Sequence, residues 1–353
     1  MAGLAKAKSQ KSTRLDEASI HRALYSRSDG RKYKRDMQSC SLIAPVKINL
    51  YLEIIGDRPD GFHELVMIMQ SVALADQIDI KPSDTQDIFI SCNHPLVPED
   101  ETNLAYRAAQ LMCKTFVDRY ENYGGVSIKI QKNIPVAAGL AGGSGNAAAV
   151  LVGINLLWDL GLTLPQLQEL AAHLGSDIPF CISGGTAIAT GRGEKIDPLQ
   201  NLDGIWVVLA KYDNLGVSTP WAYKSYRQQY RDSYVGDEAG IKSRTAKVSS
   251  SPLVSAIVDK NVPQIGQLIY NDLEKVVLPA HPRVATLKEA FATKKNVLGT
   301  MMSGSGPTVF ALCESEAQAK IVQQQTKSQF NEPELNFWVT QLVSHGIQIK
   351  SSI

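Results

Sequence analysis

The chain has 353 residues, of which 44% are hydrophobic and 20% charged, and its formal net charge is +1. These values are typical of a globular protein in water, and the length allows two domains. No apolar run approaches the roughly 18 residues that a membrane-spanning helix needs, so we expect no membrane partner. Scattered cysteines without a Cys-x-x-Cys pair argue for a reducing compartment and against a disulfide framework or structural zinc. There are five: Cys40, Cys92, Cys113, Cys181 and Cys313.

The first 38 residues hold much of the positive charge. They contain ten Lys or Arg and four Asp or Glu, a local charge of +6, which leaves −5 for the rest of the chain. Because large apolar side chains are few, residues 1–38 are predicted to form a disordered basic tail. The acidic residues argue against an organelle transit peptide. We therefore predict a cytoplasmic protein, with the plastid stroma as the alternative if the tail is cleaved.

The first predicted strand, 42–55, carries polar residues that suit a cleft. Strand alternation assigns its side chains to two faces: Ile48, Leu50, Leu52 and Ile54 on one, and Lys47, Asn49, Tyr51 and Glu53 on the other. A lysine and an asparagine two residues apart on an apolar strand can line a cleft. A solvated outer face is the alternative.

The turn that follows, RPDGFH, places Phe62 beside His63. An aromatic ring next to an imidazole can stack on a nucleobase and hydrogen-bond to its edge. A hairpin turn with one buried ring is the alternative. Further strands are predicted at 77–81, 87–91 and 126–130, and a helix at 102–117.

Residues 133–150, NIPVAAGLAGGSGNAAAV, form a loop of Gly and Ala between a predicted strand and a predicted helix at 146–158. Such a loop directs bare N–H groups and the positive end of a helix dipole at a phosphate. It lacks the lysine of a Walker loop, and Ala148 replaces the third glycine of the dinucleotide motif. A tightly packed turn without a ligand is the alternative.

The helix predicted at 164–174 begins with the capping-box pair Thr163 and Gln166 and leads to Asp177. A carboxylate in the turn after this helix can act as a general base, or it can bond locally to the backbone. His173 fits the helix C-terminus better than a ligand site.

The second half begins after a turn-rich stretch at 197–204. Strands are predicted at 205–210 and 308–312, helices at 262–271 and 283–292, and a surface excursion at 226–251. Residues 216–223 supply Trp221 and Tyr223 as a second aromatic platform. A second glycine-rich turn at 302–308 has two interpretations. It contacts phosphate, or it lets two backbones approach closely, and we favour the second. We predict an α+β fold with an N-terminal domain at 39–198 and a C-terminal domain at 199–353.

Three motifs in order, PxKxNL from Pro45, PxxxGLxxGS from Pro135 and a C-terminal SGSGPT, resemble those of the GHMP kinases, which phosphorylate small molecules. The segments APVKINLYL, RPDGFHEL, LGSDIPF and GGTAIATGRGE are similar to a branch of that family whose substrate is joined to cytidine diphosphate. The resemblance covers residues 40 to the end and leaves the basic tail unmatched.

The resemblance implies a two-domain fold with ATP and substrate in the cleft between the lobes, and Mg²⁺ as the companion of ATP. Adenine contacts are expected near Asn103 and Lys132. The phosphate loop would bind the nucleotide through Pro135, Gly139, Leu140, Ala141, Gly142, Gly143, Ser144, Gly145 and Asn146.

The same resemblance implies that Asp177 is the catalytic base, taking the proton of the C2 hydroxyl of a cytidine-diphosphate-linked methylerythritol. Lys47 would activate that hydroxyl. Further substrate contacts are expected from Asn49 and His63, with Phe62 and Tyr223 on either side of the cytosine. No metal ligand is predicted. We expect a monomer or weak homodimer without nucleic-acid partners.

Two departures from the family pattern matter. Gly145 replaces a hydroxyl residue in the phosphate loop, and Phe62 replaces the more usual tyrosine. Three alternatives stay open: a GHMP kinase for a simpler alcohol, a nucleic-acid-binding protein, and a dinucleotide-dependent oxidoreductase. The −5 charge of the body and the failed glycine spacing disfavour the last two.

Overall fold

The computed structural model of the protein describes residues 39–350; the predicted tail at 1–38 and the last three residues lie outside this range. The first half contains, in chain order, β1 (Cys40–Asp57), β2 (His63–Pro82), β3 (Ile88–Cys92), α1 (Leu104–Thr115), α2 (Val117–Tyr123), β4 (Val126–Gln131), α3 (Gly142–Leu157), α4 (Leu164–Ala172), α5 (Ile178–Ser183), β5 (Thr186–Gly191) and β6 (Lys195–Pro198).

The second half continues from residue 206. It contains, again in chain order, β7 (Trp206–Tyr212), α6 (Thr219–Tyr230), α7 (Glu238–Ser249), α8 (Pro252–Val258), α9 (Val262–Leu268), β8 (Tyr270–Asn271), α10 (Glu274–Ala280), α11 (Pro282–Ala292), β9 (Gly299–Met302), β10 (Val309–Cys313), α12 (Glu316–Phe330), β11 (Leu335–Gln341) and β12 (Gln348–Ile349).

Two sheets organise the described chain, and the α+β prediction is confirmed. The larger sheet is built on the long antiparallel pair β1 and β2; the start of β2 also pairs with β5, and its end pairs with β4. The smaller sheet has the order β11-β7-β10-β9. Strands β8 and β12 come from the second half, yet both pair with β1. The proposed boundary at 198 stays a prediction, because chain from both sides of it builds the larger sheet.

The strand β1 does not keep one face along its length. Its register against β2 shifts between Asn49 and Tyr51, as at a β-bulge. Leu50 therefore packs in one core, with Ile48, whereas Leu52 packs in another. The prediction of one continuous apolar face was wrong, since a bulge adds a residue and reverses the alternation beyond it.

The helix α3 lies in the core, where its small residues permit close packing. A Cβ added at Gly153 would lie 2.5 Å from Ile80 Cδ1 and 2.9 Å from Leu42 Cδ1, so a larger residue would require the Ile80 and Leu42 side chains to shift. Nearly every residue of α3 from Gly145 onward is buried. This packing fixes the helix and aims its N-terminus, at Gly142, toward the space between the two sheets.

Other segments differ from the sequence prediction in kind. The polar stretch 226–251, expected as an irregular surface excursion, contains the end of α6 and all of α7. The single strand expected at 77–81 is the end of β2, which begins at His63. The capping box of α4 is present as predicted, with the Thr163 N–H donating to Gln166 Oε1 at 2.9 Å.

Candidate active site

A cavity of about 830 Å³ lies where the two glycine-rich loops, the start of β2 and helix α6 meet. Residues from both halves line it, among them Lys47, Asp177, Tyr223 and Ser305. Its wall therefore combines the phosphate loop with the candidate catalytic pair and the aromatic turn.

The phosphate loop ends in a helix whose first turn is open. Ala141 adopts the left-handed conformation (φ 57°, ψ 29°) at the N-cap and has no polar side chain to cap the helix. The first intrahelical bond comes from the N–H of Gly145, which donates to the Ala141 carbonyl at 2.9 Å. The preceding N–H groups, of Gly142, Gly143 and Ser144, are therefore available to an anion.

Most of the predicted nucleotide contacts lie on the cavity wall. Gly145 is the exception, since it is buried behind the loop, where an added Cβ would lie 3.5 Å from the Pro45 carbonyl. A serine there would meet strand β1. The wall residues are Asn103, Lys132, Pro135, Gly139, Leu140, Ala141, Gly142, Gly143, Ser144 and Asn146.

The two glycine-rich loops dock against each other. Gly139 has φ +73°, and a Cβ there would lie 2.4 Å from the Ser303 carbonyl oxygen, which excludes any side chain. Ser303 Oγ donates to the Gly139 carbonyl at 3.2 Å. Asn271 fixes the second loop by donating to the carbonyls of Met302 and Gly304, both at 2.8 Å. The second loop thus permits the close backbone approach and also forms cavity wall through Gly304 and Ser305.

Lys47 and Asp177 form an ion pair on the cavity wall. Lys47 Nζ lies 3.6 Å from Asp177 Oδ2, and the side chains are 5% and 32% exposed. Asp177 occupies the N-cap position of α5, but its side chain makes no capping bond. The alternative of a carboxylate used up by its own turn therefore does not hold, and Asp177 lines the cavity.

Asn49 lies behind Lys47, not on the cavity wall. It is fully buried; its Oδ1 accepts from Lys47 Nζ at 2.7 Å, and its Nδ2 donates to Met67 Sδ at 3.4 Å. Among the described residues, Asn49 does not line the cavity. Its observed contact is with the lysine, so it positions the ammonium group in this structure.

Lys132 is anchored by a buried acid that the sequence reading missed. Asp76 is fully buried and pairs with Lys132 Nζ. It also accepts from the N–H groups of Asn133 at 2.8 Å and Ile134 at 2.9 Å, and from Asn146 Nδ2 at 2.8 Å. One carboxylate therefore ties strand β2 to both ends of the phosphate loop.

Asn103 is likewise engaged by its surroundings. Its Oδ1 caps α1 by accepting from the Ala105 N–H at 2.9 Å, and its Nδ2 donates to the Pro98 carbonyl at 2.7 Å. The sequence signal for this cap, an asparagine before an apolar helix, is a common one. Asn103 thus ties the loop that contains Pro98 to the start of α1 on the cavity wall.

The aromatic turn and helix α6 form the other end of the cavity. Phe62 is 49% exposed, and the guanidinium carbon of Arg192 lies 5.0 Å from its ring centroid. Tyr223 packs on His63 with ring centroids 5.1 Å apart. Trp221 instead packs edge-on against His281 and does not line the cavity in the described structure. Burial and then the adjacent Asp177 raise the pKa of Tyr223, which keeps its hydroxyl protonated.

A metal ion carried by a nucleotide fits this cavity without a protein cage. Among residues 39–350, no group of three or more His, Cys, Asp or Glu is placed to hold a metal. Mg²⁺ that arrives with a nucleotide keeps most of its ligands from phosphates and water and needs only one or two protein oxygens. The Ser144 hydroxyl, at the open start of α3, is an oxygen on this wall that suits it.

Two family models match the chain around this cavity. The GHMP kinases N terminal domain matches residues 103–185, which include the phosphate loop and Asp177, and the GHMP kinases C terminal model matches residues 253–332, which include the second glycine-rich loop. The protein belongs to the GHMP kinase family. Residues 39–350 contain no helix long and apolar enough to cross a bilayer.

Two curated relatives that are similar to most of this chain carry the same name. The 4-diphosphocytidyl-2-C-methyl-D-erythritol kinase of Gloeothece citriformis is 59% identical over 89% of this chain and 99% of its own length. That of Nostoc punctiforme is 59% identical over 90% of this chain and its own full length. A crystal structure of 4-(cytidine 5'-diphospho)-2C-methyl-D-erythritol kinase superposes with a TM-score of 0.66 at 29% identity, covering 86% of this chain and 98% of that one.

A more distant structure supports the fold alone. Homoserine kinase from Cytophaga hutchinsonii superposes with a TM-score of 0.70 over 91% of this chain and all of its own, at 18% identity. The GHMP resemblance of the sequence motifs is confirmed.

Proposed function

We propose that this protein transfers the γ-phosphoryl group of ATP to the C2 hydroxyl of 4-diphosphocytidyl-2-C-methyl-D-erythritol, giving the 2-phosphate and ADP on the methylerythritol phosphate route to isoprenoid precursors. The observation that carries the proposal is the Lys47–Asp177 pair, which shares one cavity with the open N-terminus of α3. The names of the close relatives supply the substrate.

The catalytic pair divides the work on the alcohol. Asp177 accepts the C2 hydroxyl proton as the oxygen attacks the γ-phosphorus, and the bond from that phosphorus to the β–γ bridging oxygen breaks to release ADP. Lys47 donates a hydrogen bond to the attacking oxygen, and its contact with Asn49 holds the ammonium in place. The 3.6 Å separation of Lys47 Nζ and Asp177 Oδ2 supports this assignment, because both groups must reach the same hydroxyl.

The nucleotide occupies the other wall. Its phosphates accept hydrogen bonds from the N–H groups that begin α3, and the helix dipole offsets their charge. The adenine lies toward Asn103 and Lys132. When bound with ATP, Mg²⁺ neutralises charge on the transferred phosphoryl group.

The cytidine end of the substrate lies between Phe62 and Tyr223, beside His63. An exposed Phe62 ring keeps the π face that stacking requires, so the missing tyrosine hydroxyl does not remove the platform. A substrate without a base has no use for these two rings. That difference separates this proposal from a GHMP kinase for a simpler alcohol.

We place the protein in the cytoplasm of a bacterium, and in the plastid stroma if residues 1–38 are removed as a transit peptide. A monomer or weak homodimer suffices, because one chain supplies every wall of the cavity. The partner is a small molecule and not a nucleic acid.

An ADP-release assay tests the proposal. Purified full-length protein with Mg-ATP is offered the cytidine diphosphate–methylerythritol substrate, homoserine or phosphomevalonate at equal concentrations. We expect turnover with the first alone. Equal or faster ADP release with either of the other two alcohols would reject the proposed substrate while leaving the kinase class in place.

A further inference from the structure

Two buried polar atoms face each other beneath the cytidine end of the cavity. Asp57 ends β1 and His63 begins β2, and the two residues are direct partners across the hairpin. Asp57 Oδ1 and His63 Nε2 lie 3.8 Å apart. Both atoms are buried, and neither has a hydrogen-bond partner among residues 39–350. Buried polar atoms without partners are uncommon, so this pair needs an explanation.

The other oxygen of Asp57 is already engaged. Arg227, on α6, places Nη2 2.9 Å from Asp57 Oδ2. A guanidinium at that distance fixes the orientation of the carboxylate, because arginine only donates. Oδ1 therefore presents a negatively charged acceptor to the imidazole.

The surroundings of His63 favour a neutral ring. Burial lowers its pKa, and Arg227 lowers it further against the opposing effect of Asp57. Two tyrosine rings also pack on the imidazole: Tyr223, tilted by 32° at a centroid distance of 5.1 Å, and Tyr234, edge-on at 6.1 Å. A neutral imidazole carries one proton on one of two nitrogens, and its neighbours decide which.

We propose that Asp57 fixes the tautomer of His63, with the proton on Nε2, so that Nδ1 is an acceptor that recognises the amino group of cytosine and rejects uracil. The proposal rests on the proposed function for the identity of the base. An unprotonated Nε2 would direct its lone pair at a carboxylate oxygen, whereas an Nε2–H donates toward it. Since His63 lines the cavity and Nε2 is buried, Nδ1 is the nitrogen left to meet a ligand.

This tautomer of His63 distinguishes cytosine from uracil, because the two bases differ at position 4. Position 4 of cytosine carries an amine that donates, and position 4 of uracil carries a carbonyl that accepts. A lone pair on Nδ1 pairs with the first and opposes the second. Uracil would bind more weakly, because its 4-carbonyl and the Nδ1 lone pair would both be acceptors and neither would have a donor. Asp57 is thus a positioning residue for base specificity and has no part in phosphoryl transfer.

The variant Asp57→Asn tests the proposal because Arg227 dictates how the amide lies. Arg227 donates, so the amide oxygen turns toward it and the amide NH₂ turns toward His63. Nε2 must then accept, which moves the ring proton to Nδ1. We expect the ratio of kcat/KM for the cytidine substrate to that for its uridine analogue to fall by on the order of 100-fold. The control Asp203→Asn, an exposed acid paired with Lys260, should leave the ratio unchanged.

Nitrogen NMR of the His63 ring gives a second readout that does not depend on turnover. In the wild type, the unprotonated nitrogen should be Nδ1; in Asp57→Asn it should be Nε2. A wild-type ring protonated on Nδ1, or a variant that keeps the wild-type preference for cytidine, would overturn the inference. If the wild type turns over neither nucleotide-linked substrate, the proposed function fails instead, and the NMR result still decides the tautomer.

Discussion

At the scale of single residues, the site depends on charged side chains placed among apolar ones. Lys47 and Asp177 could be predicted because each lies in a recognisable motif. Asp57 and Asp76 could not, since their partners come from distant segments: Arg227 for the first, Lys132 and Asn146 for the second. A single acid within a strand has no sequence pattern of its own, so its role becomes visible only when the strands are paired.

Asn49 shows a different limit of the sequence. The resemblance implies a substrate contact, whereas the observed contact of the buried Asn49 side chain is with Lys47. Strand periodicity reports which face a side chain occupies. It does not report which of two neighbours on that face reaches the cavity, because that depends on how far the opposing loop approaches.

The neutral state of His63 predicts a pH dependence of substrate binding. Burial lowers the pKa of His63, so the neutral ring persists until the pH falls below the ordinary imidazole value of about 6.5. Protonation then turns Nδ1 into a donor that opposes the cytosine amine. We expect the KM for the cytidine substrate to rise by up to about tenfold per pH unit below the pKa, while the KM for ATP stays flat.

Steady-state kinetics between pH 5 and pH 8 check this sign, with both KM values followed separately from kcat. The variant His63→Gln, which lacks the imidazole, assigns any change in KM to the ring. A KM for the cytidine substrate that rises toward alkaline pH, or an unchanged profile in His63→Gln, would contradict the assignment.

At the scale of elements, the long hairpin of β1 and β2 carries the site, and a bulge within it decides which residues face the cavity. The shift between Asn49 and Tyr51 puts Lys47 on the same side as Leu52 and separates it from Tyr51. Periodicity predicts the strand but not the bulge, because an inserted residue depends on the partner strand. The predicted faces are therefore correct only up to the bulge.

The phosphate loop depends on an anchor outside it, and this predicts the effect of removing Asp76. In Asp76→Ala, Lys132 loses its buried counter-charge, and the N–H groups of Asn133 and Ile134 lose their acceptor. Breaking a buried pair in this way costs about 3–5 kcal/mol of unfolding free energy. We also expect a raised KM for ATP, because the loop is no longer held at both ends.

Urea denaturation measures the change in unfolding free energy. Kinetics at varied ATP concentration, at a temperature where the variant is folded, measure the change in the KM for ATP. Asp203→Ala is the matched control, since an exposed pair contributes about 0–1 kcal/mol. An Asp76→Ala protein as stable as that control would show that Asp76 does not anchor the loop.

At the scale of the whole molecule, the fold class and the meeting of distant motifs could be predicted, and the family comparison bears this out. Residues of all three motifs line the cavity, as the resemblance implied: Lys47 from the first, Gly139 from the second and Ser305 from the third. The boundary between the two domains is harder to predict from the sequence. Strands β8 and β12 come from the second half and pair with β1 in the larger sheet. Each pairs over two residues, which is too short for a local sequence pattern to predict the strand or its distant partner.

We propose that Asp177 removes the proton of the acceptor alcohol while the N–H groups at the start of α3 bind the nucleotide. Asp177→Asn keeps the size of the side chain and removes the base, so kcat for the cytidine substrate should fall by roughly 100- to 10,000-fold. The dissociation constant for ATP, measured by calorimetry without the alcohol, should barely change, because the N–H groups of α3 are untouched. Retention of most of the wild-type kcat by this variant would contradict the account.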